Sequence, residues 1–364
     1  MKLAWKELVY NRKKYILIEL IIVLLVFMVL FLSGLVEGLG RAVISGIEDM
    51  DADYFLLSDS AESLITVSDL DMAVYTQAAD RTDAELAVLD IQRMYLTKAD
   101  EAEKLNITYF AIEGGSFLEP TVAEGIQFGD TDAENPIILD DDFKSEGIAV
   151  GDIVFDSSTD MEFTVIGFVK DRMYGHTSVG YITTDTYNEL RTRLNPLYER
   201  SCHAVVIRGT DIENIQIDGT EVISKADIIE NIPSYTAEHM TITMIIWVLV
   251  IVTAVVIGVF YYILTIQKQK QFGVMKAIGT EMKLLAGMVA SQVCMIAVFG
   301  AVIAAALTYG MAAALPQAMP FYLKNENVCV LLLVFILISI ASSLISMLSI
   351  AKVDPMKVIG GADE

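Results

Sequence analysis

The side chains able to do chemistry in this 364-residue sequence are few and scattered. His176, His203 and His239 lie far apart, and neither H-E-x-x-H nor C-x-x-C occurs, so a catalytic metal site has no support. Gly114-Gly115 and Gly360-Gly361 lack the lysine and hydroxyl that must follow in a phosphate loop, and G-x-x-x-x-G-K-[ST] occurs nowhere. The chain is therefore expected not to hydrolyse nucleotide by itself and not to be an enzyme on its own. Cys202, Cys294 and Cys329 are an odd set and imply no disulfide framework. Glu19 is the acid set well inside an apolar run, where an ionisable group is costly enough to raise a functional hypothesis. It follows Tyr15 by about one helical turn, so snorkelling toward Arg12 or the lysines is the favoured reading. No acid stands where a midplane proton relay would need one.

Glu19 belongs to the first of four apolar runs, near residues 16–36, 241–264, 284–310 and 328–351. Each is long enough, at about 20 residues or more, to cross a hydrocarbon core of about 30 Å. A hydrophobic share of 54% and a mean hydropathy of +0.52 agree with a membrane protein. The first run follows five basic residues as a signal peptide would, but its core is too long and Ser33, Gly34 and Gly38 make a poor cleavage site, so it reads as a retained span. Lys2, Lys6, Arg12, Lys13 and Lys14 before it, and Lys268, Lys270, Lys276 and Lys283 after the second run, place both segments in the cytoplasm. The expected layout is a cytoplasmic amphipathic helix (1–14), a first span (15–36), an extracellular domain (37–240), a second span (241–264), a cytoplasmic coupling segment (265–285), a third span (286–314), an external loop (315–327), a fourth span (328–351) and a cytoplasmic tail (352–364).

Segment 37–240 carries 13 basic and 41 acidic residues, a formal charge of −28 that exceeds the −23 of the whole chain. That charge argues against nucleic acid and against tight docking on an anionic lipid surface, and otherwise marks a solvated exterior. Short alternating or β-branched stretches recur at 148–155, 162–169, 179–183 and 203–208, which predicts an α+β domain inserted between helices 1 and 2 of a membrane α-helical protein. Its first part, from Asp51 to Leu105, is richer in Ala, Asp, Glu and Leu, and helices are expected there. Pro233 and Ser234 mark the return toward the second span. Gly34 and Gly38 form a G-x-x-x-G that either seats a second helix or ends the first. In the segment after span two, Gln267–Leu285, Met275, Ile278, Met282 and Leu285 recur at helical intervals, punctuated by Gly273 and Gly279, predicting a short helix with one face offered to a partner.

The order of one span, a large outer domain and three more spans resembles the FtsX/MacB-like permeases of ABC transporters. The segment 272–279, Phe-Gly-Val-Met-Lys-Ala-Ile-Gly, is similar to the family's loop motif, and 353–360, Val-Asp-Pro-Met-Lys-Val-Ile-Gly, to its C-terminal signature. Val150-Gly151-Asp152 followed by Phe163-Thr164-Val165-Ile166-Gly167 is also characteristic. Further stretches, among them 1–4, 33–41, 171–176, 234–238, 319–323 and 359–361, resemble the haem-exporting, HrtB-type branch.

The resemblance implies a homodimer of this chain in the membrane with two copies of an HrtA-like ABC ATPase subunit, which would bind ATP and Mg. It implies haem as transported substrate, entering laterally from membrane lipid, with no intrinsic cofactor. Phe272, Gly273, Met275, Lys276, Ile278 and Gly279 would couple to the ATPase. Tyr174 and Tyr235 match positions associated with haem handling, and tyrosinate can ligate haem iron. Met173, His176, Glu238, His239 and Met240 surround them as further donors, and Glu37 is a weaker candidate. Each also reads as an ordinary residue of a membrane boundary, where tyrosines gather. Within the family, export of a peptide, antibiotic or lipoprotein, or force transmission to an external cell-wall hydrolase, are the alternatives.

Overall fold

A computed structural model of the chain describes residues 10, 12–98, 103–212, 214–233, 235–316 and 319–351. The amphipathic helix expected over 1–14 falls almost wholly outside the described residues, as do Ser234 and the tail 352–364 with its signature. In chain order the elements are α1 (Arg12–Glu48), β1 (Tyr54–Ser58), β2 (Leu70–Asp71), α2 (Met72–Ala79), β3 (Glu85–Lys98), β4 (Leu105–Ile112), β5 (Glu124–Gly125), β6 (Pro136–Asp140), β7 (Ile153–Asp156), β8 (Glu162–Val169), β9 (Met173–Tyr174) and β10 (Thr177–Thr183). They continue with α3 (Thr184–Leu194), β11 (Ser201–Cys202), β12 (Ala204–Arg208), β13 (Thr220–Ser224), α4 (Lys225–Asn231), α5 (Tyr235–Gln267), α6 (Gln269–Ala277), α7 (Met282–Ala314) and α8 (Asn325–Ala351). Two compact units result: residues 39–239, and residues 1–38 together with 240–364.

In the second of these units, α1, α5, α7 and α8 each contain a stretch long and apolar enough to cross a membrane. Their shared core takes Ile22, Val26 and Leu30 from α1, Ile257 and Tyr261 from α5, Val293, Ala297, Ala301 and Ala304 from α7, and Val328 and Phe335 from α8. Leu17, Leu20, Trp247, Ile251 and Val255 stay exposed, as lipid-facing side chains must in a chain taken out of its bilayer. The α1 and α5 helices run for 37 and 33 residues, well beyond the ends that hydropathy suggested at Val36 and 241.

Three expectations change here. Gly34 and Gly38 neither end α1 nor seat a second helix: they receive the segment Pro320–Leu323, with Tyr322 N–H donating to the Gly34 carbonyl at 3.0 Å. A Cβ on Gly38 would lie 2.4 Å from the carbonyl carbon and oxygen of Pro320, so only glycine admits that backbone. Glu19 does not snorkel with both oxygens; its Oε1 is buried without a hydrogen-bond partner and faces Gly300 of α7, where a Cβ would stand 3.1 Å from it. The helix after span two is α6, but its faces are not those expected. Phe272 is in the core with Leu285, and Met275 packs against that core, while Val274 and Ile278 are exposed.

The 39–239 unit is built on a mixed sheet in the order β13-β1-β12-β3-β4-β10-β6-β8-β5, with β7 joined to β3 and β8 and β9 joined to β10. Pairings β4–β10 and β6–β8 are parallel; the others in this order are antiparallel. The central strands are covered on both faces. Leu89, Ile91, Phe110 and Ile112 share one core with Val43, Ile44 and Ile47 from the end of α1, whereas Ile107, Tyr109 and Ala111 point into another with Phe163 and Tyr187. Two-sided burial bears on a fourth correction. The Asp51–Leu105 stretch, where Ala, Asp, Glu and Leu content suggested helices, holds one short α-helix, α2, and a 3-10 turn at Asp59–Ala61 among its described residues and is otherwise mainly strand, including the 14-residue β3, whose burial on both faces hides the alternation of a strand. Cys202 is buried, and burial pushes its thiol up to about 12, so it is protected from oxidation.

Candidate functional site

Tyr174 ends β9, the short strand paired to β10 through Thr177. The connection is the tight turn Gly175-His176, and both residues take left-handed backbone, with φ of +56° and +61°. Such a conformation is easy for glycine and uncommon for histidine. What holds the turn is the last part of α1. Gly175 N–H donates to the Val43 carbonyl at 3.0 Å and His176 N–H to the Ala42 carbonyl at 2.9 Å. Met173 N–H donates to Ser45 Oγ at 2.9 Å. Gly46 lets the two backbones meet, because a Cβ there would lie 3.1 Å from both the Met173 carbonyl oxygen and the Phe110 ring.

A second set of bonds fixes the approach to this turn. Arg172 pairs its guanidinium with Asp49 at the end of α1, and Arg41 donates to the same carboxylate at 2.7 Å. The Arg172 N–H donates to Asp140 Oδ2 at 2.6 Å, and the Asp142 N–H donates to Asp140 Oδ1 at 3.1 Å. Burial nevertheless raises the Asp140 carboxyl to about 7, the two N–H donors offsetting only part of that cost.

The ring of Tyr174 meets Phe110 edge-on, with centroids 5.7 Å apart at 70°. Burial pushes its phenol up to about 12, so a tyrosinate at this position needs a metal or a base to draw off the proton. Tyr235 opens α5, and its ring stacks on His239 at 5.4 Å and 28°. It also lies over Gly40 of α1, where a Cβ would be 3.7 Å from Tyr235 Cε2. Glu238, in the same first turn, places Oε2 3.3 Å from His176 Nε2. The His176–Glu238 contact therefore joins the β9–β10 turn to the start of α5.

Of the candidate residues, Tyr174, His176, Tyr235, Glu238 and His239 belong to this one neighbourhood, and Met173 enters it through its backbone. Met240 and Glu37 belong to the other unit, where Met240 is exposed and Glu37 accepts a hydrogen bond from Asn327 Nδ2 at 3.2 Å. His203 is elsewhere, its Nδ1 3.0 Å from buried Asp90 beside a separate polar cleft. The described residues contain no group of three or more His, Cys, Asp and Glu poised for a metal ion.

Tyr174, Gly175 and His176 form part of the wall of a cleft of about 510 Å³, completed in part by Ile232 and Pro233. That size lies within the roughly 300–1,000 Å³ of ordinary small-molecule sites. Thr66, Arg93 and Thr108 also line it, and sequence reading missed all three. The signal was available only through pairing: Arg93 stands opposite Thr108 across the β3–β4 ladder, two residues from the Ile91–Phe110 pair that lies against Tyr174. On α6 and the two residues that follow it, Phe272 and Gly273 are buried, Met275 and Lys276 half-buried, and Ile278 and Gly279 exposed, with Val274 and Ile278 as an outward apolar pair.

Two family models cover this architecture. The MacB-like periplasmic core domain matches residues 16–218, and the FtsX-like permease C-terminal matches residues 243–355. The chain belongs to the FtsX/MacB-like family of ABC transporter permeases. Relatives extend over its whole length: a protein of Staphylococcus haemolyticus carrying the name hemin transport system permease protein HrtB is 29% identical, with 100% of each chain covered. A Staphylococcus epidermidis protein of the same name is also 29% identical, with 99% of each covered. Among solved structures, the periplasmic region of MacB from Actinobacillus actinomycetemcomitans matches with 12% identity and a TM-score of 0.38, covering 52% of this permease and 97% of that chain. The extracellular domain of the ABC-type transporter YknZ matches with 15% identity and a TM-score of 0.34, covering 47% and 98%. This permease is thus a transmembrane subunit of an ABC transporter, a family whose members work with an ATPase partner.

Proposed function

We propose that this permease exports haem from the membrane, driven by a separate HrtA-like ATPase in a complex of two copies of each chain, with both termini on the ATPase side. The observation that carries the reading is local. Tyr174 and His176, a phenol and an imidazole of the kinds that ligate haem iron, line one cleft in an otherwise strongly acidic domain. The full-length relatives named for hemin transport support the same substrate. Haem is planar, apolar and dianionic through its propionates, and it partitions into lipid, so a lateral route from the membrane suits it. ATP and Mg would bind the partner, and the exposed Val274 and Ile278 on α6 would meet that subunit. The −28 charge of segment 37–240 would discourage the released propionates from returning.

Titration of haemin into the detergent-purified permease tests the reading. A shift of the Soret band is expected, weakened in the Tyr174→Phe, Tyr235→Phe double variant. An unperturbed haem spectrum would favour export of a peptide, antibiotic or lipoprotein, and co-purification of a cell-wall hydrolase would favour force transmission.

A further inference from the structure

The residues that line the Tyr174 cleft differ in charge from their domain, the nearest carboxylate to them in this neighbourhood being Glu238 on His176. Segment 37–240 holds 41 acidic residues against 13 basic, yet the cleft is lined by Arg93 and His176 and by no Asp or Glu among the described residues. With 41 acids in segment 37–240, about one residue in five, composition alone would put about two among the residues that line this cleft. Their absence beside an arginine makes this a place where an anion meets attraction in a field that elsewhere repels it.

Arg93 is also uncommitted. Other arginines of the domain are tied down: Arg41 and Arg172 on Asp49, Arg193 on Glu189, and Arg208 on Asp51 and Glu85. Among the described residues Arg93 makes no side-chain hydrogen bond, ion pair or ring contact, and it is exposed at the cleft. Its position is nonetheless fixed by the backbone. It lies in the middle of β3, opposite buried Thr108, on the face that carries Ile91 and Phe110. The result is a graded wall: a guanidinium at one end, then Ile91 and Tyr174, the latter backed by the buried Phe110 ring, with His176 on the turn beyond. An ion pair between Arg93 and a carboxylate would gain two parallel hydrogen bonds and would be shielded from water by a flat apolar ligand lying over it.

We infer that this cleft is a binding site for a flat amphipathic carboxylate, with Arg93 as the residue that receives the carboxylate edge. Resting on the haem reading, the inference assigns Arg93 to a propionate while Tyr174 and His176 face the macrocycle. It makes Arg93 a specificity determinant that reads charge, separate from the groups that could hold iron, so the metal-free porphyrin should use it equally.

The test compares haemin, protoporphyrin IX and protoporphyrin IX dimethyl ester, binding to full-length permease in detergent by absorbance and by porphyrin fluorescence anisotropy. Arg93→Gln should weaken haemin and protoporphyrin IX by about tenfold. It should leave the dimethyl ester unchanged, and Arg93→Lys should recover part of the loss. Because Arg93 has no partner to abandon, both variants should melt as the parent does. Equal affinity of Arg93→Gln and parent for protoporphyrin IX would overturn the inference, as would equal weakening of acid and ester. If protoporphyrin IX binding depends on Arg93 while the haemin spectrum ignores Tyr174→Phe and Tyr235→Phe, iron ligation fails and the carboxylate site stands. If haemin binding depends on the tyrosines but not on Arg93, the reverse holds. Binding of neither porphyrin would overturn both.

Discussion

The contact of Gly38 with the Pro320–Leu323 segment gives a sharp prediction for the membrane unit. A Cβ added by Gly38→Ala would stand 2.4 Å from the Pro320 carbonyl carbon and oxygen and 2.5 Å from the Phe321 nitrogen. Ordinary contact begins at 3.4 Å, so the segment must retreat by about 1 Å. All three atoms are backbone, and no side-chain rotation relieves the overlap. Overpacking of this kind costs about 1–3 kcal/mol, toward the upper end where the neighbour is backbone. Alanine recovers roughly 1 kcal/mol of helix propensity, leaving a net loss of about 2 kcal/mol. Gly34→Ala meets only the Phe321 and Leu323 side chains, at 2.5 and 2.8 Å, and should lose less. Gly310→Ala in α7 meets nothing within 4 Å and should gain slightly. Thermal unfolding of the detergent-solubilised protein, followed by helical circular dichroism, should rank the melting temperatures Gly310→Ala, parent, Gly34→Ala, Gly38→Ala from high to low. A Gly38→Ala protein that melts with the parent would refute the packing of this segment on α1.

Three further outcomes follow from buried or outward side chains. Asp140 has a folded-state value near 7 against 3.8 in the open chain, so the folded state holds the extra proton. Its contribution is complete below about pH 4 and is lost as pH rises through about 7, and the melting temperature of Asp140→Asn minus that of the parent should grow across this window. A constant difference would contradict the buried carboxyl. Glu19→Met removes a buried oxygen that has no partner and should raise thermal stability by about 1–3 kcal/mol, and a fall would reveal a partner for that carboxylate. On α6, Val274→Asp and Ile278→Asp should reduce co-purification of the ATPase with little change in melting, whereas Phe272→Ala should lower melting by the ~3–5 kcal/mol of an emptied aromatic site. The same loss of ATPase from Phe272→Ala without a change in melting would reverse that assignment of faces.

Much of this was readable from residue order because lipid and water impose strong patterns. Runs of apolar residues as long as 16–36 and 241–264 admit few uses besides crossing a bilayer, and the short alternating strands at 162–169 and 179–183 lie where the pattern put them. Reading failed where burial is two-sided or contacts are non-local. Strand β3 shows no alternation because Leu89 and Ile91 face one core while Val88 and Met94 face others, so the composition of 51–105 suggested helices instead. Helical spacing joined Met275, Ile278 and Leu285 into one face, but with a bend at Gly279, φ of +91°, Met275 and Leu285 pack on one core while Ile278 is left exposed. The site was legible in part. Tyr174 and Tyr235 stood out through family resemblance, whereas Arg93 reaches the cleft only through the β3–β4 register, and nothing near it in sequence announces that.

The most direct test of the transport claim is haem movement itself. The permease and its ATPase partner would be reconstituted in liposomes loaded with haemin in the bilayer, with apomyoglobin in the outer solution as acceptor. ATP should accelerate the appearance of holomyoglobin above the passive rate, and Tyr174→Phe, Tyr235→Phe should remove that acceleration while ATP hydrolysis continues. Hydrolysis by the parent complex with haem transfer no faster than passive leakage would contradict the account.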